Sequence, residues 1–276
     1  MSNISAADVA KLRRMTGAGM MDCKKALEEA QGDFEKAQEL IRKRGQAIAN
    51  KRADREATEG VVLAKTTADG TKGMMSALNC ETDFVAKNAD FIALSNKILD
   101  TALGSDPADL EALKEIKSGG KKVSEMVLEQ SGITGEKFEL SFFSRIEAAA
   151  VQAYIHPGNK LATLVGFNKA GIDQQVYKDI AMQVAAMNPV AVDKDDVPEK
   201  ILAQELDIAR DQARREGKPE EMLEKIAQGK LNKFYKESTL LNQEFIKDNK
   251  LTIRQYLQNQ NKDLTVTGFV RFTLNT

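Results

Sequence analysis

The 276-residue chain contains no tryptophan, a single histidine and only two cysteines. Cys23 and Cys80 lie far apart and are too few for a disulfide scaffold, so they favour a reducing compartment, and we expect the cytoplasm. The single histidine, His156, has no clustered cysteines to join it, which argues against a metal site of the His/Cys type. We therefore expect neither a metal nor a cofactor.

The sequence also lacks a long apolar run and an excess of charge of either sign. No apolar stretch approaches the roughly 20 residues that a membrane helix requires, and the N-terminal MSNISAADVAKLRRMTG lacks the apolar centre of a secretory signal. Lys and Arg number 40 against 41 Asp and Glu, so no global field attracts nucleic acid or an anionic membrane. We expect neither as a direct partner.

Motifs of common catalytic and nucleotide-binding sites are missing as well. A phosphate-binding loop fails where Lys122 follows Gly120-Lys121, and GAGMMD fails as a dinucleotide fingerprint because Asp22 replaces its last glycine. No recognised motif places a nucleophile beside His156. We predict that the chain is not an enzyme; a carboxylate-dependent hydrolase is an alternative that an essential metal in the isolated protein would favour.

The patterns that are present predict an α+β protein that begins with a small helical module. Residues 1–45 predict three short helices, separated by TGAG and by Gly32. Residues 46–57 are polar and charged and predict a linker. Six basic residues lie in or just before this linker: Arg42, Lys43, Arg44, Lys51, Arg52 and Arg55. They could touch nucleic acid, but the absence of interleaved aromatic residues favours a solvated linker.

The remainder predicts a mixed core of two halves, 58–140 and 141–276, each a strand hairpin followed by a helix. Asp69-Gly70 marks the turn of the first hairpin, and Pro157-Gly158 marks that of the second. Because sequence identity between the halves is slight, we predict a repeated architecture rather than a proven duplication.

A highly charged antiparallel helical hairpin is predicted at about 197–237, inserted into the second half, with its turn at Gly217-Lys218-Pro219. A small helical head, a mixed core and a protruding hairpin are together typical of a protein that binds another macromolecule over several separate surfaces. In the head, Met20 and Met21 follow TGAG and are equally compatible with the module's own core and with a soft contact surface.

The stretch NCETDFVAKN raises the question of what its phenylalanine contacts. Phe84, Phe91 and Ile98 are spaced by sevens, so an unbroken helix would put Phe84 on the core face. Alternatively, Asn88 caps a new helix and detaches the preceding turn, which leaves Phe84 free for another molecule. The spacing alone favours the core.

Three segments resemble the elongation factor Ts family, the guanine-nucleotide exchange factors for elongation factor Tu: TGAGMMDCKKALEEAQGDFEKA, NCETDFVAKN and the closing TGFVRF. The resemblance covers essentially the whole chain in the right order, and the first two segments are highly specific. It implies that residues 1–45 form a UBA-like, partner-binding module. It also implies that Phe84 is inserted between helices of the partner's G domain, where it disturbs the metal and phosphate sites of bound GDP.

The resemblance implies roles for eight residues. The contact that dislodges Mg²⁺ would comprise Thr82, Asp83, Phe84 and Val85, and further contacts with the partner would involve Arg13, Met20, Met21 and His156. Some members continue past the strand equivalent to TGFVRF with another helical module, whose contacts cannot be carried over, and self-association of the core is left open. The alternative function is a scaffold or holdase-like binding protein, for which Phe84→Ala would hardly matter.

Overall fold

The computed structural model describes residues 4–274, and their helices and small antiparallel sheets confirm the α+β class. The helices are α1 Ala6–Thr16, α2 Met20–Glu29, α3 Phe34–Lys51, α4 Asp83–Ala86, α5 Ala89–Ser105, α6 Leu110–Glu115, α7 Val123–Thr134, α8 Gln174–Met187, α9 Glu199–Arg215, α10 Glu220–Ser238 and α11 Ile253–Gln260. The strands are β1 Glu59–Thr66, β2 Lys72–Cys80, β3 Lys117–Ser118, β4 Lys121–Lys122, β5 Glu139–Glu147, β6 Ala150–Ile155, β7 Leu161–Phe167, β8 Glu244–Phe245, β9 Asp248–Thr252 and β10 Val266–Thr273. Within residues 4–274, no helix is both long and apolar enough to cross a membrane.

Helices α1 to α3 form a head module with its own apolar cluster, which includes Leu12, Cys23 and Leu27. The third helix differs from the sequence prediction, because it continues past residue 45 to Lys51. Its last turns carry no apolar stripe, and only small residues such as Gly45 are buried there. Contact with α7 stabilises this extension, so the connection to β1 shortens to residues 52–58.

The core contains two three-stranded antiparallel sheets of the same topology. Their strand orders are β1-β2-β5 and β6-β7-β10, so in each sheet a hairpin is joined by a later strand that pairs with its second strand. The predicted hairpin turns are found at 67–71 and 156–160. The predicted division of the core at residue 140 falls inside β5, whose residues pair with β2 of the first sheet.

The sheets pack face to face, and a helix covers the outer face of each. Side chains alternate across β1: Val61 and Leu63 face α5, whereas Val62 and Ala64 face the second sheet. In the same way, α8 packs on the outer face of β6 and β7. Burial on both faces explains why the central strands are apolar at nearly every position.

Two hydrogen bonds join the sheets in a reciprocal way. The N–H of Val62 in β1 donates to the carbonyl of Asn159, in the second hairpin's turn, at 2.6 Å. The N–H of Val151 in β6 donates to the carbonyl of Gly70, in the first hairpin's turn, at 2.7 Å. The third strands also meet, where the rings of Phe142 and Phe272 stack with centroids 4.1 Å apart. Each half thus contacts its equivalent as the subunits of a symmetric dimer do.

The predicted helical hairpin is formed by α9 and α10, which turn at residues 216–219. Its narrow seam consists of Ala209, Ala213, Leu223, Ala227 and Leu231. None of these residues belongs to the apolar clusters of the head or the sheets. The hairpin therefore has a separate seam of its own.

Beside α8, the core of the second half contains a buried acid. Asp179 is 5% exposed and accepts hydrogen bonds from Lys247 at 2.7 Å, Gln175 at 2.6 Å and Tyr256 at 2.9 Å. Burial alone would raise the pKa of Asp179, but these donors outweigh it and lower the pKa below 3.8. The charged carboxylate thus ties α8 to β8–β9 and α11.

Candidate partner-binding surface

The turn that carries Phe84 is separate from the helix that follows it. Thr82 caps α4, and Asn88 caps α5 by accepting a hydrogen bond from the N–H of Asp90 at 2.8 Å. Phe91 and Ile98 lie in the core, but Phe84 is 83% exposed. The prediction from the spacing by sevens is therefore wrong for Phe84, because the cap at Asn88 interrupts the helical repeat.

Glu136, which precedes β5, holds the beginning of this turn. Its carboxylate accepts hydrogen bonds from the Thr82 N–H at 3.1 Å and from the Thr82 hydroxyl at 2.7 Å. Because that hydroxyl donates to Glu136, its lone pairs are free to accept from the Val85 N–H at 3.4 Å. The Cys80 thiol donates to the Thr82 carbonyl at 3.2 Å. Four polar contacts thus fix the residue that caps α4.

The Cys80 thiol stays protonated in this arrangement. Burial raises the pKa of Cys80 to about 12, and the negative charge of Glu136 adds to the effect. The thiol therefore remains a weak hydrogen-bond donor to the turn.

Glu81 ties the same turn to the end of the head module. Its side chain, 13% exposed, pairs with Arg52 at 3.0 Å and with Arg55 at 3.0 Å, and it accepts from the Lys137 N–H at 2.7 Å. Burial would raise the pKa of Glu81, but the hydrogen bonds from Lys137, Arg52 and Arg55 lower it. Glu81 is therefore charged at neutral pH, and it connects α3, α4 and β5.

Charged side chains border the exposed ring. Asp83 pairs with Lys87 at 2.7 Å on the surface, and this hydrogen bond lowers the pKa of Asp83, with a smaller contribution from the charge of Lys160. Lys160 itself pairs with Glu59 at 2.8 Å. The turn between β6 and β7 therefore lies close enough to α4 to act on it electrostatically.

His156 opens that turn and is exposed. Its Nδ1 lies 3.1 Å from the Tyr154 hydroxyl, and its backbone N–H donates to the Leu161 carbonyl at 2.8 Å. The structure thus presents His156 on a well-defined hairpin turn.

Among residues 4–274, no three or more His, Cys, Asp or Glu side chains are grouped so that they could hold a metal ion.

The head residues named from the sequence lie at or near the loop between α1 and α2. Met20 is 44% exposed and Met21 is 62% exposed, so both lie on the surface rather than in the module's core. Arg13 is also exposed, and its carbonyl accepts the N–H of Gly17 at 2.7 Å. Gly17 has φ of 72°, a left-handed conformation that glycine adopts without strain.

The structure brings this head loop close to the Phe84 turn. Gly17 from the head and Val85 from α4 line one cavity of about 200 Å³, together with Asn88 and Ile133. The head loop and α4 are thus neighbours, and the charge of Lys160, in the turn that His156 opens, acts on Asp83 of α4. The eight predicted residues therefore occupy three segments: the head around the α1–α2 loop, the adjoining α4 turn and the turn between β6 and β7.

Sequence reasoning missed the residues that hold the site. Arg52 and Arg55 were expected in a solvated linker, but both pair with Glu81. Arg42 and Arg44 are also paired, with glutamates of α7 and α2. Nothing in the local sequence marks Glu136, because its role depends on a contact with a residue far away in the chain.

Comparison with known proteins identifies the family. A family model described as Elongation factor TS matches residues 81–276. The Elongation factor Ts of Porphyromonas gingivalis is 57% identical over 269 residues, which cover 97% of each chain. The chain belongs to the elongation factor Ts family. Proteins of the same name from Amoebophilus asiaticus and Christiangramia forsetii are 54% and 48% identical, over 97% and 99% of this chain and 98% and 100% of theirs.

Membership of the elongation factor Ts family makes the chain a translation elongation factor, with a role in protein biosynthesis. The match to the family model begins at Glu81, so it includes the Phe84 turn, β5 and the whole second sheet, whereas β1 and β2 lie before it. The head module lies before this match, but the alignments with these relatives span 97% or more of the chain. The resemblance found in the sequence is thus confirmed at the level of the family.

Proposed function

We propose that this chain is a guanine-nucleotide exchange factor for elongation factor Tu and promotes the release of GDP. The observation that carries the proposal is the exposure of Phe84, 83%, on a turn held by Glu136 and Glu81. An exposed ring on a rigid turn gains apolar burial on binding and loses little conformational freedom, which is how aromatic anchors act in interfaces.

The mechanism requires binding alone, without covalent chemistry, so the factor is not an enzyme in that sense. GDP is held by Mg²⁺ and by backbone donors around its phosphates, and a small shift of these groups weakens binding greatly. Phe84 would enter the partner's G domain as a wedge and displace them. The cap at Thr82 and the ion pair of Asp83 with Lys87 would keep the ring in position, while Val85 would anchor the turn through its packing against the apolar cluster of the first sheet.

The remaining contacts would add affinity around this wedge. Arg13, Met20 and Met21 would contact the same domain from the head. The two methionine side chains suit this role because they adapt to an irregular surface. His156 would contact the partner from the hairpin turn. Because binding free energies are reciprocal, a factor that weakens GDP is itself weakened by nucleotide, so an incoming nucleotide would release it. We place this exchange in the cytoplasm.

Stopped-flow release of a fluorescent GDP analogue from elongation factor Tu tests the proposal. The protein should accelerate release strongly, and Phe84→Ala should remove most of the acceleration. Met222→Ala is a matched control, because Met222 is an exposed apolar residue, 45% accessible, on the separate helical hairpin. If acceleration survives Phe84→Ala, the exchange function stands without the wedge. If the folded protein gives no acceleration, the scaffold or holdase-like function replaces this proposal.

A further inference from the structure

Helices α3 and α7 cross with their backbones in direct contact at two glycines. A Cβ added at Gly132 would lie 2.2 Å from the Gly45 Cα and 2.8 Å from its carbonyl oxygen. A Cβ added at Gly45 would lie 3.3 Å from the Gly132 Cα. At position 132 only glycine permits this approach, whereas a methyl group at position 45 would make a tight contact that requires a shift of a few tenths of an ångström.

This crossing is the principal support of the head on the core. The head's apolar cluster is separate from that of the first sheet, so no continuous hydrophobic core joins them. Around the crossing lie an exposed ion pair of Arg42 with Glu125 at 3.4 Å and a cavity of about 280 Å³ between α2, α3 and α7. The orientation of the head therefore depends chiefly on the contact of α3 with α7, beside the ion pairs of Arg52 and Arg55 with Glu81 at the end of α3.

The same turn of α7 separates the head loop from the Phe84 turn. Ile133, next to Gly132, lies beside Gly17, whose added Cβ would be 3.5 Å from the Ile133 Cδ1. Ile133 also lines the cavity that Gly17 shares with Val85. A change in the spacing of α3 and α7 would therefore move the head loop relative to α4.

We propose that Gly45 and Gly132 are positioning residues, which set the spacing between the head methionines, Met20 and Met21, and Phe84. This inference rests on the proposed exchange function. With the spacing fixed, one rigid protein surface meets the partner at both places, and less conformational entropy is lost on binding than if the two places moved independently. An added methyl group at Gly132 must push the backbones apart by roughly 1.3 Å to reach an ordinary carbon–carbon contact of about 3.5 Å.

The test compares three glycine-to-alanine variants of the full chain. Gly132→Ala should displace the head most, Gly45→Ala less, and Gly229→Ala, the control, not at all. Gly229 lies within helix α10, and its added Cβ would meet nothing within 4 Å. Head displacement is measured as the spin-label distance between Lys25→Cys on α2 and Ala93→Cys on α5. Circular dichroism establishes that each variant is folded; if Gly132→Ala is not, Gly45→Ala decides the test.

Exchange kinetics supply the second readout. Gly132→Ala should raise the KM for elongation factor Tu bound to GDP by roughly tenfold or more, because misplacement by about 1 Å can cost up to about 100-fold. The kcat at saturating partner should stay within about twofold, since Glu136 and Glu81 still hold the Phe84 turn. A merely structural weakening would not separate KM from kcat in this way.

Three results would overturn the inference. The label distance in Gly132→Ala could match the wild type, or it could change while KM stays the same, or kcat could fall while KM stays the same. Failure of the wild-type protein to accelerate GDP release would instead remove the proposed function and this inference with it. The wild-type control thus distinguishes the two failures.

Discussion

Phe84→Ala should impair exchange and leave the free energy of unfolding nearly unchanged, whereas Phe91→Ala should do the reverse, although both rings belong to one short segment. Phe91 is 2% exposed and packs edge to face on Phe138, with ring centroids 4.9 Å apart. Removing such a ring from a core destabilises a protein by about 3–5 kcal/mol. Phe84 is 83% exposed, so its removal should change the free energy of unfolding by no more than about 0.5 kcal/mol.

Urea unfolding followed by circular dichroism measures both variants. Phe91→Ala should lower the midpoint clearly, while GDP release at a temperature where the variant is folded stays close to the wild type. Phe84→Ala should keep the wild-type midpoint and lose most of the exchange activity. A loss of more than about 1 kcal/mol in Phe84→Ala would mean that the ring is packed in solution, and it would refute the reasoning about this turn.

Three further predictions concern residues that support the fold or the turn. Glu136→Ala should lower the exchange rate and destabilise the protein by about 1–3 kcal/mol, because the Thr82 N–H and hydroxyl lose their acceptor. GDP release measures the first effect, and urea unfolding measures the second. Asp179 has a lowered pKa, so the stability that its carboxylate contributes is present above the pKa of the unfolded state and is lost as the pH falls through the lowered pKa of the folded state. Asp179→Asn should therefore flatten the stability profile below about pH 5, in acid titrations followed by fluorescence or circular dichroism. Gly60→Ala should lower the melting temperature strongly, because Gly60 has φ of 147° and an added Cβ would lie 2.2 Å from a carbonyl oxygen of β2.

Much of the fold could be predicted from local patterns. Capping residues, turn glycines and alternating apolar residues mark the head helices, the hairpins and the inserted helical pair, because these signals act over a few residues. The end of α3 could not be predicted, since its last turns are stabilised by burial of Gly45 against α7 rather than by an apolar stripe. The place of β5 was also missed, because strand pairing depends on partners elsewhere in the chain.

The candidate site was predicted unevenly for the same reason. The segment around Phe84 was found by resemblance, and the possible cap at Asn88 was visible in the sequence. The choice between a continuous and an interrupted helix depends on whether the ring finds a cavity in the core, which local sequence does not encode. The acceptors Glu81 and Glu136 act through contacts with distant residues, so only the tertiary structure identifies their roles.

The reciprocal hydrogen bonds between the two sheets have a consequence for folding. Each hairpin turn supplies an acceptor to the other half, and among residues 4–274 the inner face of each sheet packs on that of the other. Neither half can bury that face alone, so the two halves should unfold together as one cooperative unit. In a chain cut between β5 and β6, the two sheets should consequently form only when the fragments are mixed, as the separate partners of an obligate heterodimer fold only together.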